Sequence, residues 1–334
     1  MTVRVAINGF GRIGRCVVRA LVESGRNDIH IVAVNGSGPI EMMAHLLKHD
    51  SVHGAFPAVE VVNESTLRVA GQEIKVIMER DPAKLPWLAL NIDVVMECTG
   101  KFTKSEEAGK HLAAGARKVL ISAPADGAEA TVVYGVNNHV IHPELKIMSI
   151  GSCTTNALAP VAQTLQKAVG IDVGFMTTIH SYTGDQNVVD GSHRDLRRAR
   201  ACAMSMVPTS TGAAKAIGLV IPELAGKLNG TSIRVPTPNV SLIDFTFTAR
   251  QDTDKETLVK AFETAAESEL KGVLAVCHEP LVSIDFNHNT HSAIVDAKET
   301  HVVQKRFCRV AAWYDNEWGF SHRMLDVAAL IGKR

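Results

Sequence analysis

The first half of the chain alternates short apolar runs with segments of helical spacing. VRVAIN (3–8) and IHIVAVN (29–35) predict buried strands, and GRCVVRALVES (14–24) between them has apolar residues on one helical face. The same alternation continues in EMMAHLLKH (41–49), IDVVMECTG (92–100), SEEAGKHLAAG (105–115) and RKVLISAP (117–124). Strands that alternate with helices indicate βαβ units and a parallel sheet.

The second half has a different pattern. Several segments alternate in polarity, which is typical of an antiparallel sheet with one exposed face. The predicted strands are GIDVGFMTTIHSYT (170–183), GTSIRVPT (230–237), VSLIDFTFTAR (240–250) and FCRVAAWYD (307–315). Helices are predicted at 257–270 and 321–333, and we expect the boundary between the two halves near Ser149 to Cys153.

Composition narrows the possible classes of protein. The 334 residues suffice for two domains, because single cores seldom exceed about 250–300 residues. Net charge is zero, and no segment approaches the ~20 apolar residues of a membrane span, so we expect neither nucleic acid nor membrane partners. MTVRVAING leads directly into a strand, so we expect no signal peptide. The six cysteines form no CxxC pair and no zinc spacing, which favours free thiols in a reducing cytoplasm.

NGFGRIGR (8–15) follows the first predicted strand and opens the first helix. In that context Gly9 permits a tight turn, Gly11 lets a pyrophosphate approach the backbone, and Gly14 lets helix and strand pack closely. The phosphates would then meet the N–H groups at the helix N-terminus. A simple strand–helix turn is the alternative, and the context favours dinucleotide binding.

SCTTNALAP (152–160) places Cys153 at the start of a helical run, where the helix dipole should lower its pKa. His180 ends a predicted strand in TTIHSYTGDQ (177–186) and could act as ion partner and general base for the thiol. From these residues alone the alternative stays open, since the chain has 14 histidines and Cys153 could be a buried thiol.

Several long motifs together resemble the glyceraldehyde-3-phosphate dehydrogenase family, in the same order along nearly the whole chain. They are INGFGRIGR, HLLKHDSVHG (45–54), SCTTN, TTIHSYTGDQ, HRDLRRAR (193–200), PTSTGAAKAIG (208–218), RVPTPNVS (234–241) and WYDNEWGFS (313–321). The resemblance implies an N-terminal Rossmann domain (1–152) and an α+β catalytic domain (153–316) with a mostly antiparallel sheet. It also implies a homotetramer and a C-terminal helix (317–334) that packs back on the first domain.

The family's reaction would then assign Cys153 as nucleophile and His180 as base. Glyceraldehyde 3-phosphate would be oxidised by NAD or NADP through a hemithioacetal and a thioester. Inorganic phosphate would release the acyl group as 1,3-bisphosphoglycerate, in glycolysis or gluconeogenesis.

The resemblance also nominates binding residues. Those expected for the two phosphate groups are Ser152, Thr154, Thr183, Asp185, Arg198, Thr211, Gly212 and Arg234. Those expected for the cofactor are Gly9, Gly11, Arg12, Ile13, Gly14, Asn35, Gly36, Ser37, Arg80, Thr99, Gly100, Ser122, Ser192 and Asn316, with Asn316 on the nicotinamide amide.

Three departures from the family pattern stand out. Ala157 replaces a second cysteine, Ile150-Gly151 replaces Asn-Ala, and Gly36 replaces the acid that usually grips the adenosine ribose. Loss of that acid removes an obstacle to a 2′-phosphate. Gly191-Ser192 stands where NAD-specific relatives carry Leu-Pro, and Ser37 and Ser192 could both bind that phosphate, Ser192 from a neighbouring subunit. We therefore predict dual NAD(P) use with a preference for NADP.

Two alternatives remain. Erythrose-4-phosphate dehydrogenase is a non-phosphorylating relative that shares several motifs, but PTSTGAAKA retains Thr211 and Gly212 for inorganic phosphate. The other alternative is a nucleotide-binding protein with a non-catalytic role, against which Cys153 and His180 argue.

Overall fold

The computed structural model describes residues 2–333, which divide into two compact units. The first unit contains the chain up to Tyr134, Asn138–Ser152 and the residues from Ser321 onward. The second contains Gly135–Asn137 and Cys153–Phe320, so the main division falls between Ser152 and Cys153.

The first unit is built on a parallel sheet. Its strands are β1 (Val3–Asn8), β2 (Ile29–Asn35), β3 (His49–Asp50), β4 (Gly54–Ala55), β5 (Val59–Asn63), β6 (Thr66–Val69), β7 (Gln72–Ile77), β8 (Val94–Glu97), β9 (Lys118–Ile121), β10 (Ala130–Thr131) and β11 (Ile147–Ser149). Its helices are α1 (Arg12–Glu23), α2 (Ile40–Lys48), α3 (Ser105–Ala108) and α4 (Lys110–Ala113).

Nine of these strands form one sheet in the order β10-β11-β9-β8-β1-β2-β7-β6-β5. The pairings of β1 with β2 and with β8 are parallel, as the alternating pattern predicted, while β5, β6 and β7 form an antiparallel extension. The central strand β1 is buried along most of its length because helices of βαβ units cover such sheets on both faces. The single helix predicted over 105–115 is two short helices that meet at Gly109.

The second unit carries longer strands. They are β12 (Ile171–Ser181), β13 (Val207–Thr209), β14 (Leu228–Val235), β15 (Ser241–Ala249), β16 (Leu274–Cys277), β17 (Ala293–Val303) and β18 (Phe307–Tyr314). The helices are α5 (Cys153–Ala168), α6 (Ala213–Val220), α7 (Lys255–Glu267) and α8 (Trp318–Gly332), and α8 passes into the first unit at Ser321.

These seven strands form a mixed sheet in the order β13-β14-β12-β15-β18-β17-β16. Most neighbours are antiparallel, but β12 with β14 and β16 with β17 are parallel. Alternation is strict in β15, where every second residue is buried, so the strand has one core face and one partly exposed face. The predicted fold class, a Rossmann domain with a mostly antiparallel catalytic domain, is confirmed.

Among the helices of residues 2–333, none combines the length and apolar character needed to cross a bilayer.

Candidate active site

The glycine-rich loop connects β1 to α1 and depends on two of its glycines. Gly9 has φ +99°, and a Cβ there would lie 2.6 Å from the backbone nitrogen of Thr99. A Cβ on Gly14 would lie 2.3 Å from the Gly9 carbonyl oxygen. Gly11 immediately precedes α1 and has no side chain to cap it. Apart from its two chain neighbours, no described residue has an atom within 4 Å of the Cβ position of Gly11. The start of α1 therefore combines backbone N–H groups with open space, as an anion site requires.

A buried polar network joins the carboxyl ends of three adjacent strands, β2, β1 and β8. The Asn35 Nδ2 donates to the Asn8 Oδ1 at 2.7 Å, and the Asn8 Nδ2 donates to the Glu97 Oε2 at 2.5 Å. The other carboxylate oxygen of Glu97 accepts from the backbone N–H of Thr99 at 2.7 Å and from its hydroxyl. This network holds Thr99, a predicted cofactor residue, at the sheet edge where dinucleotides bind in such folds.

The network ends in a histidine that the sequence did not single out. His111 is fully buried, its Nδ1 accepts from the Trp87 indole at 3.0 Å, and its Nε2 lies 3.0 Å from Glu97. Because an indole N–H can only donate, the His111 proton is on Nε2 and points to the carboxylate. Glu97 thus accepts hydrogen bonds from four donors, and its buried charge is fully satisfied.

The predicted adenosine end of the site lies at the end of β2. The buried Asn35 side chain donates to the Glu79 carbonyl and accepts from the Glu79 N–H. These two hydrogen bonds hold Glu79 beside the end of β2, and the next residue, Arg80, is exposed. Ser37 is also exposed. At Gly36 a Cβ would lie 2.5 Å from the terminal methyl of Met43 on α2. Position 36 thus has no acid, and the flexible end of Met43 lies where a side chain at this position would begin.

The remaining predicted cofactor residues of this unit follow later strands or the loop. Gly100 is exposed with φ +68°, and the N–H of Ser122 donates to the Glu97 carbonyl at 3.0 Å just after β9. Arg12 forms an ion pair with Asp50, and Ile13 is partly buried on the first turn of α1. Together with Gly9 and Asn35, these residues lie at the carboxyl edge of one sheet, in its loops and at the start of α1.

The second unit brings Cys153 and His180 together. Cys153 is the first residue of α5, and His180 is the penultimate residue of β12. The Sγ of Cys153 lies 3.5 Å from Nε2 of His180. The other ring nitrogen, Nδ1, lies 2.7 Å from the Ser181 carbonyl oxygen and 3.0 Å from Nη1 of Arg234. The carbonyl is the nearer group and can only accept, and Arg234 Nη1 has the same carbonyl as an acceptor at 3.1 Å, so we assign the proton to Nδ1. His180 consequently presents the lone pair of Nε2 to the thiol, as a general base must.

Burial acts on both members of this pair. It raises the pKa of the Cys153 thiol, opposed by the positive charge of Arg234 and by the hydrogen bond from Thr154. Burial and Arg234 together lower the pKa of His180 to about 3. These directions differ from the lowered thiol pKa expected from the helix dipole alone. Transfer of the proton from Sγ to Nε2 creates two opposite charges, and their attraction offsets part of both burial penalties, so the pair titrates as a unit.

Arg234 lies beside this pair with an unmet donor. Its guanidinium donates from Nη1 to the Ser181 carbonyl at 3.1 Å and approaches the Thr183 hydroxyl at 3.5 Å. Its buried Nε has no hydrogen-bond partner among residues 2–333. A buried guanidinium N–H without a partner is costly, and an anionic ligand would satisfy it.

Arg198 is placed by the long segment between β12 and β13. Its Nε donates to the Thr209 hydroxyl at 2.9 Å, and its Nη1 forms an ion pair with Asp185. Asp185, which the resemblance groups with the substrate phosphate, therefore contacts and orients an arginine in this unit. A carboxylate suits that contact better than direct contact with a phosphate, because like charges repel.

The Thr154 hydroxyl belongs to a cluster of three hydroxyls, with those of Tyr314 and Thr178, that the sequence did not predict. The buried Tyr314 hydroxyl lies 2.9 Å from the Thr154 hydroxyl and 2.8 Å from that of Thr178, and its ring meets His180 edge-on. Burial raises the pKa of Tyr314 well above its usual value. The hydrogen bond from Tyr314 to Thr154 fixes the first turn of α5. The sequence WYD (313–315) predicted only the end of a strand and not this contact.

The other predicted residues take separate positions. Thr211 accepts from the N–H of Ala213 at 3.2 Å, and Gly212 immediately precedes α6. Ser192 is exposed in the segment between β12 and β13, and among its atoms the backbone oxygen accepts from Asn187 at 3.4 Å. Ser192 is not part of the Cys153–His180 group. Ser152 is the last residue of its stretch in the first unit, and Asn316 is a buried residue between β18 and α8.

Fold and site together define a class: a Rossmann-type dinucleotide-binding protein whose second domain holds a paired cysteine and histidine beside a buried arginine. Comparisons with known proteins specify the family. Residues 3–105 match the model described as glyceraldehyde 3-phosphate dehydrogenase, NAD binding domain, and residues 152–316 match the C-terminal domain of the same enzyme.

Curated relatives extend this match over the full length. The chain is 59% identical to a glyceraldehyde-3-phosphate dehydrogenase of Xanthobacter flavus and 56% identical to one of Cereibacter sphaeroides, each covering 100% of this chain and 99% of the relative. A relative of the same name from Geobacillus stearothermophilus is 52% identical over 100% of this chain and 99% of its own. The chain belongs to the glyceraldehyde-3-phosphate dehydrogenase family, and the predicted resemblance is confirmed.

Proposed function

We propose that the protein oxidises and phosphorylates glyceraldehyde 3-phosphate to 1,3-bisphosphoglycerate with NAD(P)⁺, as a step of glycolysis or gluconeogenesis. The observation that carries the proposal is the 3.5 Å approach of Cys153 Sγ to the unprotonated Nε2 of His180, beside Arg234. Cofactor binding is assigned to residues 1–152 with the helix 317–334, and the chemistry to residues 153–316. Arg334 lies outside the described residues.

The first steps use Cys153 and His180. His180 takes the thiol proton, and the thiolate attacks the aldehyde carbon. His180 then returns that proton to the resulting oxyanion, which gives a neutral hemithioacetal and leaves Nε2 free to act as a base again. His180 then removes the hydroxyl proton as the carbon is oxidised to a thioester. The chemistry that NAD(P)⁺ supplies when bound is acceptance of the hydride. The backbone N–H of Cys153 at the start of α5 is a further donor for the developing oxyanion.

Inorganic phosphate completes the reaction. Its oxygen attacks the thioester carbon, the C–S bond breaks, and the Cys153 thiolate leaves from the acyl phosphate. Arg234, Thr183 and Arg198 with its partner Asp185 would bind the substrate phosphate. Ser152, Thr154, Thr211 and Gly212 would bind inorganic phosphate, with the N-terminus of α6 as an anion site. The unmet Arg234 Nε supports an anion in this region.

We propose that both cofactors are used and that NADP is preferred. A 2′-phosphate would meet no carboxylate at Gly36, and Ser37 and the cationic Arg80 are exposed near this strand end. Ser192 of a neighbouring subunit would add a hydroxyl.

One set of assays tests the reaction and the cofactor. kcat/KM is measured with NAD⁺ and NADP⁺, with glyceraldehyde 3-phosphate and erythrose 4-phosphate, each with and without inorganic phosphate. We expect a strong phosphate requirement with the triose phosphate and a larger kcat/KM for NADP⁺. Phosphate-independent oxidation of the tetrose phosphate would establish the erythrose-4-phosphate dehydrogenase alternative, and strict NAD⁺ specificity would contradict the cofactor proposal. Cofactor binding without turnover of either aldehyde would indicate a non-catalytic nucleotide-binding protein.

We further propose a homotetramer in the cytoplasm. Five apolar side chains between β12 and β13 are at least 73% exposed, namely Val188, Val189, Leu196, Met204 and Met206. An exposed apolar segment of this kind marks an interface. The cytoplasm would keep Cys153 reduced, as the mechanism requires. Light scattering of the purified protein tests the assembly, and a monomer at micromolar concentration would contradict it.

A further inference from the structure

Asn316 is held from one side only. The residue is 5% exposed, and its Oδ1 accepts from the hydroxyls of Ser181 and Ser241, each at 2.9 Å. Within residues 2–333, no hydrogen bond involves its Nδ2. The amide thus has an oxygen with two partners and a nitrogen with none.

The two hydroxyls determine which end of the amide they face. The Ser241 Oγ accepts the backbone N–H of Ser181 at 3.1 Å, so its own proton is left to donate to Asn316. Turning the amide around would make Nδ2 the donor to both hydroxyls. Ser241 would then have to donate to the Ser181 Oγ over 3.5 Å, and the Ser181 proton would have no acceptor among the described residues. The orientation with Oδ1 toward the serines is therefore the one in which every hydroxyl donates.

Ser181 also contacts the catalytic base. Its carbonyl oxygen accepts from Nδ1 of His180 at 2.7 Å, while its hydroxyl holds Asn316. Ser181 ends β12 and Ser241 begins β15, so the backbone of one sheet positions both residues.

We propose that Ser181 and Ser241 are positioning residues that fix the Asn316 amide with Nδ2 directed to the carbonyl oxygen of the nicotinamide carboxamide. The inference rests on the proposed function, which assigns Asn316 to that carboxamide. Without the serines the amide could turn, and Oδ1 would then face the ligand as an acceptor.

Two cofactor analogues distinguish these orientations. NAD⁺ carries a carboxamide, which can present either its oxygen or its NH₂ group. 3-Acetylpyridine adenine dinucleotide carries a ketone, which can only accept. With Nδ2 toward the ligand, Asn316 can donate a hydrogen bond to the carbonyl oxygen of either dinucleotide. With the amide turned, its Oδ1 can accept only from the NH₂ group of the NAD⁺ carboxamide.

The experiment measures the Kd of both dinucleotides by calorimetry, in the absence of substrate, for wild type, Ser181→Ala, Ser241→Ala and Asn316→Ala. For either serine variant we expect a Kd increase of about tenfold for the acetylpyridine analogue and no more than about threefold for NAD⁺. The matched control is Ser232→Ala, which removes from the same sheet a buried hydroxyl that has no hydrogen-bond partner within residues 2–333. It should leave both Kd values unchanged.

The outcomes separate this inference from the proposed function. If Asn316→Ala changes neither Kd, the contact with the nicotinamide is wrong and the cofactor part of the proposed function fails with it. If Asn316→Ala weakens both but the serine variants change both equally or not at all, only the positioning role is overturned. Should the serine variants not fold, a crystal structure of the wild-type NAD⁺ complex decides the question: a carboxamide nitrogen facing Asn316 would overturn the proposed orientation.

Discussion

The polar groups of the two units differ in how completely they are satisfied. In the first unit, hydrogen bonds link Asn35 to Asn8, Asn8 to Glu97, and Glu97 to His111. Both carboxylate oxygens of Glu97 accept hydrogen bonds. In the second unit, the buried Arg234 Nε has no hydrogen-bond partner among the described residues, and within the same residues no hydrogen bond involves the Nδ2 of Asn316.

We interpret the network of the first unit as structural support and the unmet donors of the second unit as ligand-binding groups. A closed network under the strand ends contributes rigidity and shapes the backbone that a dinucleotide would contact. Unmet buried donors cost stability in the free protein and are recovered when a ligand accepts from them. We therefore expect substitutions in the first network to change stability most, and substitutions in the second site to change chemistry most.

The largest effect is expected for Cys153→Ser, the most direct test of chemistry in the second unit. Oxidation should fall by more than about 10³-fold, because a hydroxyl is a far weaker nucleophile than a thiolate. Cofactor Kd should stay within about twofold, since the nucleophile is not one of the assigned cofactor residues. Steady-state kinetics and calorimetry measure the two, and retained dehydrogenase activity would rule out Cys153 as nucleophile.

Arg234→Met should reduce kcat/KM by about 10²- to 10³-fold through loss of an anion-binding donor. Removing this positive charge also raises the pKa of both Cys153 and His180, because Arg234 lowers each of them. The midpoint of Cys153 alkylation by iodoacetamide should consequently move to higher pH. Arg234→Lys is the control that keeps the charge, and an unshifted midpoint in the methionine variant would show that Arg234 does not act on the thiol.

Gly36→Asp tests whether the nucleotide end of the first unit selects the cofactor. The new carboxylate repels a 2′-phosphate, so the ratio of kcat/KM for NADP⁺ to that for NAD⁺ should fall about tenfold or more. The fall should be larger in Gly36→Asp with Met43→Ala, because the methionine methyl then no longer occupies the space of the new side chain. Met43→Ala alone serves as control, and an unchanged ratio in the double variant would exclude position 36 as a determinant.

Glu97→Gln is expected to have the smallest catalytic effect and to act on stability. Both carboxylate oxygens of Glu97 accept from donors, so either orientation of a glutamine points its NH₂ group at other donors. The free energy of unfolding should fall by about 1–3 kcal/mol, measured by urea titration. Glu60→Gln on the exposed strand β5 is the control, with a change within about 0.5 kcal/mol. A stability loss no larger than that of the control would show that the network is not the support described above.

Sequence patterns predicted most of this architecture. Apolar runs such as VRVAIN and IHIVAVN, alternating with helical segments, predicted the parallel sheet, and the alternating polarity of the segment that forms β15 predicted a half-exposed strand. Both succeed because the period of side-chain burial is local. The parallel pairing of β12 with β14 was not predicted, because strand pairing depends on residues far apart in the chain. The break between the two short helices at Gly109 was not predicted either.

The sequence by itself determined the family, the glycine loop, and the identities of Cys153, His180 and Asn316 as candidates, because long motifs and residue types are written in the chain. Only the tertiary structure decided which nitrogen of His180 faces the thiol, which end of Asn316 faces the serines, and that Met43 fills the space beside Gly36. Proton positions and amide orientations follow from hydrogen-bond partners at hand, and folding brings those partners from distant segments.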